Sequence, residues 1–316
     1  MQYHEIMKNE VRVFAPASVG NAIVGFDILG LALTKPGDEI VARRSDVPGL
    51  RIVDISGDEG KLPYDVEKNT AGFAALSLLR HLGQTALGIE LEIHKRMPFG
   101  SGLGSSAASA VGGAYAVNLL LGSPLSKNEL LPFAMHGEQL ASGGFHADNV
   151  APSLLGGIIL ICSNQNLDVH ALPVPDELFA AVVYPEVEVL TKTARSILKP
   201  DISLRQHIEQ SGFLGGFVTA LFRSDYDLMA RTLRDIVIEP QRAQLIPNFH
   251  QVQEAALSAG ALGCSISGAG PSMIALCRGE DIAYIAGHTM QQVFSAAGIR
   301  NELFISAVNP HGAIEL

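Results

Sequence analysis

Residues 98–108 read Pro-Phe-Gly-Ser-Gly-Leu-Gly-Ser-Ser-Ala-Ala, and this run carries the clearest chemistry in the chain. Gly100, Gly102 and Gly104 let a backbone turn tightly and approach a ligand where a Cβ would collide. Ser101, Ser105 and Ser106 add hydroxyls that both donate and accept. The residues that follow predict a helix rich in Ala, Gly and Leu, whose unpaired N–H groups and positive dipole end face the loop. Together these groups suit a phosphate-like anion. A Walker A loop would need a lysine that this run lacks. A dinucleotide fingerprint can be laid on Gly102, Gly104 and Ala107, but the preceding strand alternates and no second strand with an acidic end follows. A turn serving only the fold is the remaining alternative.

The formal charge is −10, so a bound triphosphate must be held against the protein's own field. A helix start contributes only about 0.3–1 kcal/mol toward an anion. The nucleotide therefore calls for a metal, and Mg²⁺ prefers oxygen ligands. Ser106 and Glu138 are the candidate ligands, although Glu138 taken alone also reads as a solvated surface residue. His146 and Asp148 form a second close pair, but no third ligand stands beside them and a zinc site is not expected there.

Three motifs occur in a telling order: Ala15-Pro-Ala-Ser-Val-Gly-Asn-Ala-Ile-Val-Gly-Phe-Asp27, then residues 98–108, then Gly263-Cys-Ser-Ile-Ser-Gly-Ala-Gly-Pro-Ser272. With them the chain resembles the GHMP kinase superfamily. Asn21 and Asp27, the run His146-Ala-Asp-Asn-Val-Ala-Pro152 and Thr191-Lys-Thr-Ala-Arg195 point to the branch that phosphorylates L-homoserine. The resemblance spans positions from about 11 to 272. It implies ATP and Mg²⁺ as cofactors, a step of threonine biosynthesis and a homodimer. It further implies an α+β fold of two domains, the first like ribosomal protein S5 domain 2 and the second ferredoxin-like, with catalysis in the cleft between them.

Carried over residue by residue, the resemblance places Asp27 at the substrate ammonium with Asn21 and His146 nearby, and Arg195 with Arg242 at the carboxylate. An arginine fork matches a carboxylate in two parallel hydrogen bonds, which agrees with that placement. Each also has a plain explanation: a turn cap for Asp27, a satisfied loop residue for His146, solvated helix residues for the arginines. The nucleotide contacts are expected from Asn69, Pro98, Gly100, Ser101, Gly102, Leu103, Gly104, Ser105, Ser106, Ala107 and Ala108, with Asn69 equally readable as a helix cap. Gly268 and Gly270 would let the second domain's backbone close on the phosphate loop. At the reacting hydroxyl, Asn149 is expected to orient the acceptor without a general base, and Asp148 as base is the competing assignment. Phosphoryl transfer tolerates the first because it depends mainly on positioning and charge neutralisation.

These groups need elements to hold them. Alternation predicts strands over residues 11–15, 39–42 (after a turn at Pro36-Gly37), 49–55 and 88–93. Helices are predicted over 69–82, from 105 to about 121 and over 126–142, then a polar loop over 143–149 and a buried strand over 154–162. Residues 164–176 read as a linker, giving domains 1–165 and 166–316. The second half predicts strands over 179–184, 264–267, 273–277 and 302–307, with helices over 203–223, 226–235, 248–259 and 282–297. Strands and helices without regular βαβ repetition indicate α+β in both halves.

Composition sets the frame. With 316 residues, 47% hydrophobic and 17% charged, the chain is an ordinary globular protein of about two domains. The acidic balance argues against nucleic acid or an anionic membrane as partner. Residues 1–10 are polar and unlike a signal peptide, no uninterrupted run of 18 apolar residues occurs, and a cytoplasmic protein is expected. Cys162, Cys264 and Cys277 read as buried free thiols.

Overall fold

A computed structural model describes residues 8–316, so part of the polar N-terminal reading lies outside the described residues. β1 (Glu10–Gly20) and β2 (Leu29–Arg44) form a long antiparallel pair. Along β1 the alternate residues Val11, Val13, Ala15, Ala17 and Val19 are all buried. β3 (Leu50–Ser56) leads to α1 (Thr70–His81), and β4 (Ile89–His94) then lies between β3 and the second half of β2. α2 (Ser105–Leu120), α3 (Lys127–Ser142) and α4 (Val150–Leu155) follow. α2 and α4 pack on β1 and β2, while α1 and α3 flank α2. The small residues of α2 are almost all buried, so it is the central helix of this layer. β5 (Ile158–Ser163) pairs with the start of β2, and β6 (Asp168–Leu172) pairs with β5.

The chain then enters a second sheet. It contains β7 (Leu178–Pro185), followed by α5 (Thr191–Ser196), α6 (Leu204–Arg223), α7 (Tyr226–Thr232), α8 (Glu239–Arg242) and α9 (Phe249–Ser258). β8 (Gly263–Ile266), β9 (Met273–Arg278), α10 (Glu280–Ala296) and β10 (Asn301–Ala307) complete it. The order β10-β7-β9-β8, antiparallel throughout, is that of a ferredoxin-like domain. Finally β11 (Ile314–Glu315) returns to pair with β1.

The period of two along β7 divides two cores. Ala180 and Val182 face the core shared with the first sheet, whereas Ala181 and Val183 face the core under α9 and α10. Phe217 of α6 is fully buried in the shared core. Burying one such side chain stabilises by about 1.5–3 kcal/mol, so packing joins the two halves as well as the chain itself. Both halves are α+β, as the sequence predicts. Among the described residues, no helix is long and apolar enough to cross a membrane.

Several expectations need correction. Pro36-Gly37 is no turn, because β2 runs through it with Gly37 opposite Pro16. A bulge between Pro16 and Ser18 takes up the irregularity that the prolines bring. Residues 154–155 end α4, and the strand begins only at Ile158. The supposed linker holds β6, so the division expected at 165/166 falls in the turn between two strands of the first sheet. Cys162 is exposed, while Cys264 and Cys277 are buried as expected.

Candidate active site

The loop before α2 lies where the two sheets meet. Its backbone is tied to β1 by the Ser18 N–H, which donates to the Leu103 carbonyl at 3.0 Å. The second domain's turn at residues 267–272 closes on it: Ser267 Oγ donates to the Gly102 carbonyl at 2.7 Å, and the Ser272 N–H donates to the Ser101 carbonyl at 3.1 Å. Gly102 has φ +78°, and a Cβ there would come within 2.4 Å of the Ser267 carbonyl oxygen. Gly104, at φ +67°, heads α2 with no side-chain cap, and the first turn carries no acidic residue. The helix start is therefore open to an anion. Within the loop the buried hydroxyls Ser101 Oγ and Ser105 Oγ meet no partner in the chain.

A cleft of about 280 Å³ is lined by Phe99, Gly100, Ser101, Gly102, Gly104, Ser105 and Ser106 on one side, and by Asn21, Asp27, His146, Asp148, Asn149, Arg195 and Arg242 on another. The resemblance's phosphate loop and zwitterion pocket thus share one cavity. Five expected contacts do not line it: Leu103, Ala107 and Ala108 are fully buried in the core, Pro98 borders a neighbouring depression, and Asn69 caps α1. The part of the first four is to hold the loop's shape. Asn69 Oδ1 accepts from the Ala71 and Gly72 N–H groups and its Nδ2 donates to the Pro63 carbonyl, which gives the cap reading.

Glu138 is buried in the cleft wall, not solvated. Its Oε2 meets no donor, and burial pushes its pKa up to about 7 while the Ser106 hydroxyl beside it pulls the other way. A buried carboxylate with a free oxygen next to a hydroxyl is an all-oxygen donor set of the kind Mg²⁺ takes. The residues present fit that ion.

Asp27 and Arg195 form a two-pronged pair, with Nη1–Oδ2 at 2.9 Å and Nη2–Oδ1 at 2.8 Å. The fork raises the Arg195 pKa. His146 Nδ1 stands 3.5 Å from Asp27 Oδ2 with no hydrogen-bond partner, and burial lowers the imidazole's pKa. Arg242 is buried, with Nε donating to the Ala194 carbonyl and Nη1 to the Gly268 carbonyl, at 3.0 and 3.1 Å. Both guanidinium groups lie over the Phe26 ring, at 5.4 Å for Arg195 and 5.0 Å for Arg242. Asn21 lines the cleft, yet both ends of its amide are engaged. Nδ2 donates to the Gly268 carbonyl at 2.8 Å and Oδ1 accepts from the Asp27 N–H at 3.0 Å, so it shapes the Asp27 turn and joins the domains.

Asn149 Oδ1 accepts from the Gly20 N–H and from Ser18 Oγ, both at 3.1 Å. The backbone donor fixes the amide orientation and leaves Nδ2 as the group for a ligand oxygen. Asp148 is buried, and burial together with the nearby Asp27 charge raises its pKa to about 7.

Two residues here escaped the sequence reading. Lys95 is buried against Asp38, and its Nζ also donates to the Ser105 carbonyl at 2.9 Å and to Ser109 Oγ at 2.7 Å. Asp38 accepts in turn from the Arg96 and Met97 N–H groups, so the pair fastens the chain entering the loop to the first turn of α2. Asn164 accepts from the Ala147 N–H at 2.8 Å and donates to the Asp27 carbonyl at 3.2 Å, tying the segments that carry Asp27 and His146 together. Lys95 stands three residues before Pro98, the only signal the sequence offers for it; nothing in the spacing marks Asn164.

Comparison with known proteins gives the family. The family described as GHMP kinases N terminal domain matches residues 69–157, and GHMP kinases C terminal matches residues 217–296. The homoserine kinase of Chlorobium phaeovibrioides is 47% identical over 314 residues, covering 96% of this chain and 98% of that protein. That of Chlorobaculum tepidum is 45% identical over 313 residues, covering 95% of this chain and 96% of its own length. The crystal structure of homoserine kinase from Cytophaga hutchinsonii superposes with a TM-score of 0.97 at 50% identity over all of both chains. The crystal structure of L. major mevalonate kinase in complex with R-mevalonate has a TM-score of 0.71 at 18% identity over 95% of this chain and 98% of that one, and shows the fold alone. The chain belongs to the homoserine kinase family of GHMP kinases.

Proposed function

We propose that this chain transfers the γ-phosphoryl of ATP to the terminal hydroxyl of L-homoserine, giving O-phospho-L-homoserine and ADP in threonine biosynthesis. The observation that carries the reading is the single cleft in which an uncapped helix start faces a pocket holding Asp27, Arg195 and Arg242. The loop N–H groups and the Ser101 and Ser105 hydroxyls receive the phosphates. Glu138 and Ser106 would hold Mg²⁺, which would supply charge neutralisation at the phosphate oxygens. The amino acid's ammonium goes to Asp27 and its carboxylate to Arg195 and Arg242, taking over the groups that otherwise pair with each other. The acceptor oxygen attacks the γ-phosphorus as the bond to the ADP oxygen breaks. Asn149 Nδ2, held by the Gly20 and Ser18 bonds to Oδ1, donates to an oxygen at the reacting centre, and the hydroxyl proton leaves to the phosphoryl group or water.

A second reading of the proton's fate rests on Asp148, whose pKa near 7 suits a general base. Asp148→Asn and Asn149→Ala separate the two. Near-wild-type turnover in the first with loss in the second supports the base-free route; loss in the first, with the pH dependence of kcat near 7 abolished, supports Asp148. Acceptor identity is tested by coupled ADP release with Mg-ATP against L-homoserine, mevalonate, shikimate and galactose. Turnover is expected chiefly with L-homoserine, and preference for any other acceptor rejects the assignment. A homodimer in the cytoplasm is the accompanying expectation, supported by the kinship alone.

A further inference from the structure

We propose that the β5–β6 hairpin carries a second metal site, made by Cys162, Asp168 and His170 and suited to Zn²⁺-class transition ions. The ligand atoms of these three side chains lie within 4.8 Å of one another, and all three residues are exposed. Asp168 and His170 are two apart on β6 and so project from one face of the hairpin. Cys162 is the extra residue of the bulge between Ile161 and Ser163, which leaves it without a cross-strand partner beside Asp168. His170 Nε2 already sits 2.9 Å from Asp168 Oδ1, so two of the three donors are held in contact before any ion arrives.

Bond lengths of about 2.0–2.3 Å put tetrahedral zinc ligands roughly 3.5 Å apart. Reaching that spacing from separations within 4.8 Å needs no more than about an ångström of movement by solvent-exposed side chains. Thiolate, imidazole and carboxylate form a mixed set that zinc and cobalt favour, whereas magnesium takes oxygen alone. The chain thus presents two donor sets of opposite character: the buried oxygens of Glu138 and Ser106 in the cleft, and the thiolate–imidazole trio on the hairpin. Three protein ligands leave the fourth position to water. A bound ion would pin the hairpin at the base of the turn from which Asn164 reaches Asp27.

The test uses the full chain with Mg²⁺ in large excess, so that the cleft is occupied. Zn²⁺ is titrated by competition with a chromophoric chelator, Co²⁺ is followed by its thiolate charge-transfer band, and Cys162 by its reaction with a thiol reagent. Cys264 and Cys277 are buried, so the band and the fast thiol report Cys162. One ion per chain with micromolar affinity is expected, with the band present and the thiol protected. Cys162→Ser and His170→Gln should each weaken binding by about tenfold or more, and Cys162→Ser should abolish the band. Equal affinity in wild type and Cys162→Ser, absence of the band, or one ion per two chains would overturn the site. Neither variant touches the cleft, so unchanged ATP and homoserine kinetics show that the fold is intact.

Discussion

Lowering the pH through 7 should loosen the protein's grip on Mg-ATP, and Glu138 should be the reason. In the metal-free protein, burial holds the Glu138 pKa near 7 instead of its usual 4.5. A carboxylate must lose its proton to take Mg²⁺, so binding competes with protonation. One such proton makes the apparent dissociation constant roughly tenfold larger at pH 6 than at pH 8. The sign for stability follows from the same shift. A carboxyl whose pKa is higher in the folded chain contributes most below its unfolded value, and that contribution is lost as pH rises to about 7. The metal-free protein should therefore have a lower Tm at pH 7.5 than at pH 6, with Mg-nucleotide reversing the order. The assay is calorimetric titration of Mg²⁺ with a non-hydrolysable ATP analogue between pH 6 and 8. The nucleotide's last phosphate proton titrates in the same range, with a pKa of about 6, so the comparison is with Glu138→Gln. That variant should bind weakly at pH 8 and lose the excess pH dependence. An identical pH profile in wild type and Glu138→Gln would refute the reasoning.

Arg195→Ala should raise the KM for homoserine roughly 10- to 150-fold, the range for losing charge-assisted hydrogen bonds, with the KM for ATP nearly unchanged; equal losses for both substrates count against the carboxylate assignment. Gly102→Ala should force the phosphate loop from the 267–272 turn, since the methyl would meet backbone oxygens at 2.4 and 2.9 Å. The strain, about 1–3 kcal/mol, should appear as a lower Tm together with a reduced kcat/KM for ATP. Lys95→Met leaves the Asp38 carboxylate buried without its counter-charge and should destabilise by about 3–5 kcal/mol in urea titration, with partial recovery on adding Asp38→Asn. Asn164→Ala should raise the KM for homoserine more than that for ATP, because its two bonds join only the substrate-side segments.

Local chemistry was the legible part of this chain. Three glycines, flanking serines and a following helix marked the phosphate loop, and Ser126 with Glu129 forms the capping box that begins α3. The alternation of β1 was visible over residues 11–15, but the strand continues to Gly20 because a bulge accommodates Pro16. Residues whose roles come from distant partners stayed hidden. Lys95 matters because β2 brings Asp38 beneath it, and although Asn21 was among the candidates, its bond to the Gly268 carbonyl of the other domain was not legible. Glu138 stood as a metal-ligand candidate with a solvated surface residue as its alternative, and only the packing of α3 against the loop, which helical spacing does not express, shows that position to be buried.

A crystal structure with Mg²⁺, a non-hydrolysable ATP analogue and L-homoserine tests the central claim most directly. The account predicts phosphate oxygens on the N–H groups of Gly100, Ser101, Gly102, Gly104, Ser105 and Ser106, with Mg²⁺ held by Glu138 and Ser106, and the amino acid's ammonium on Asp27. Nucleotide bound away from that loop, or homoserine outside the cleft shared by Asp27, Arg195 and Arg242, would contradict it.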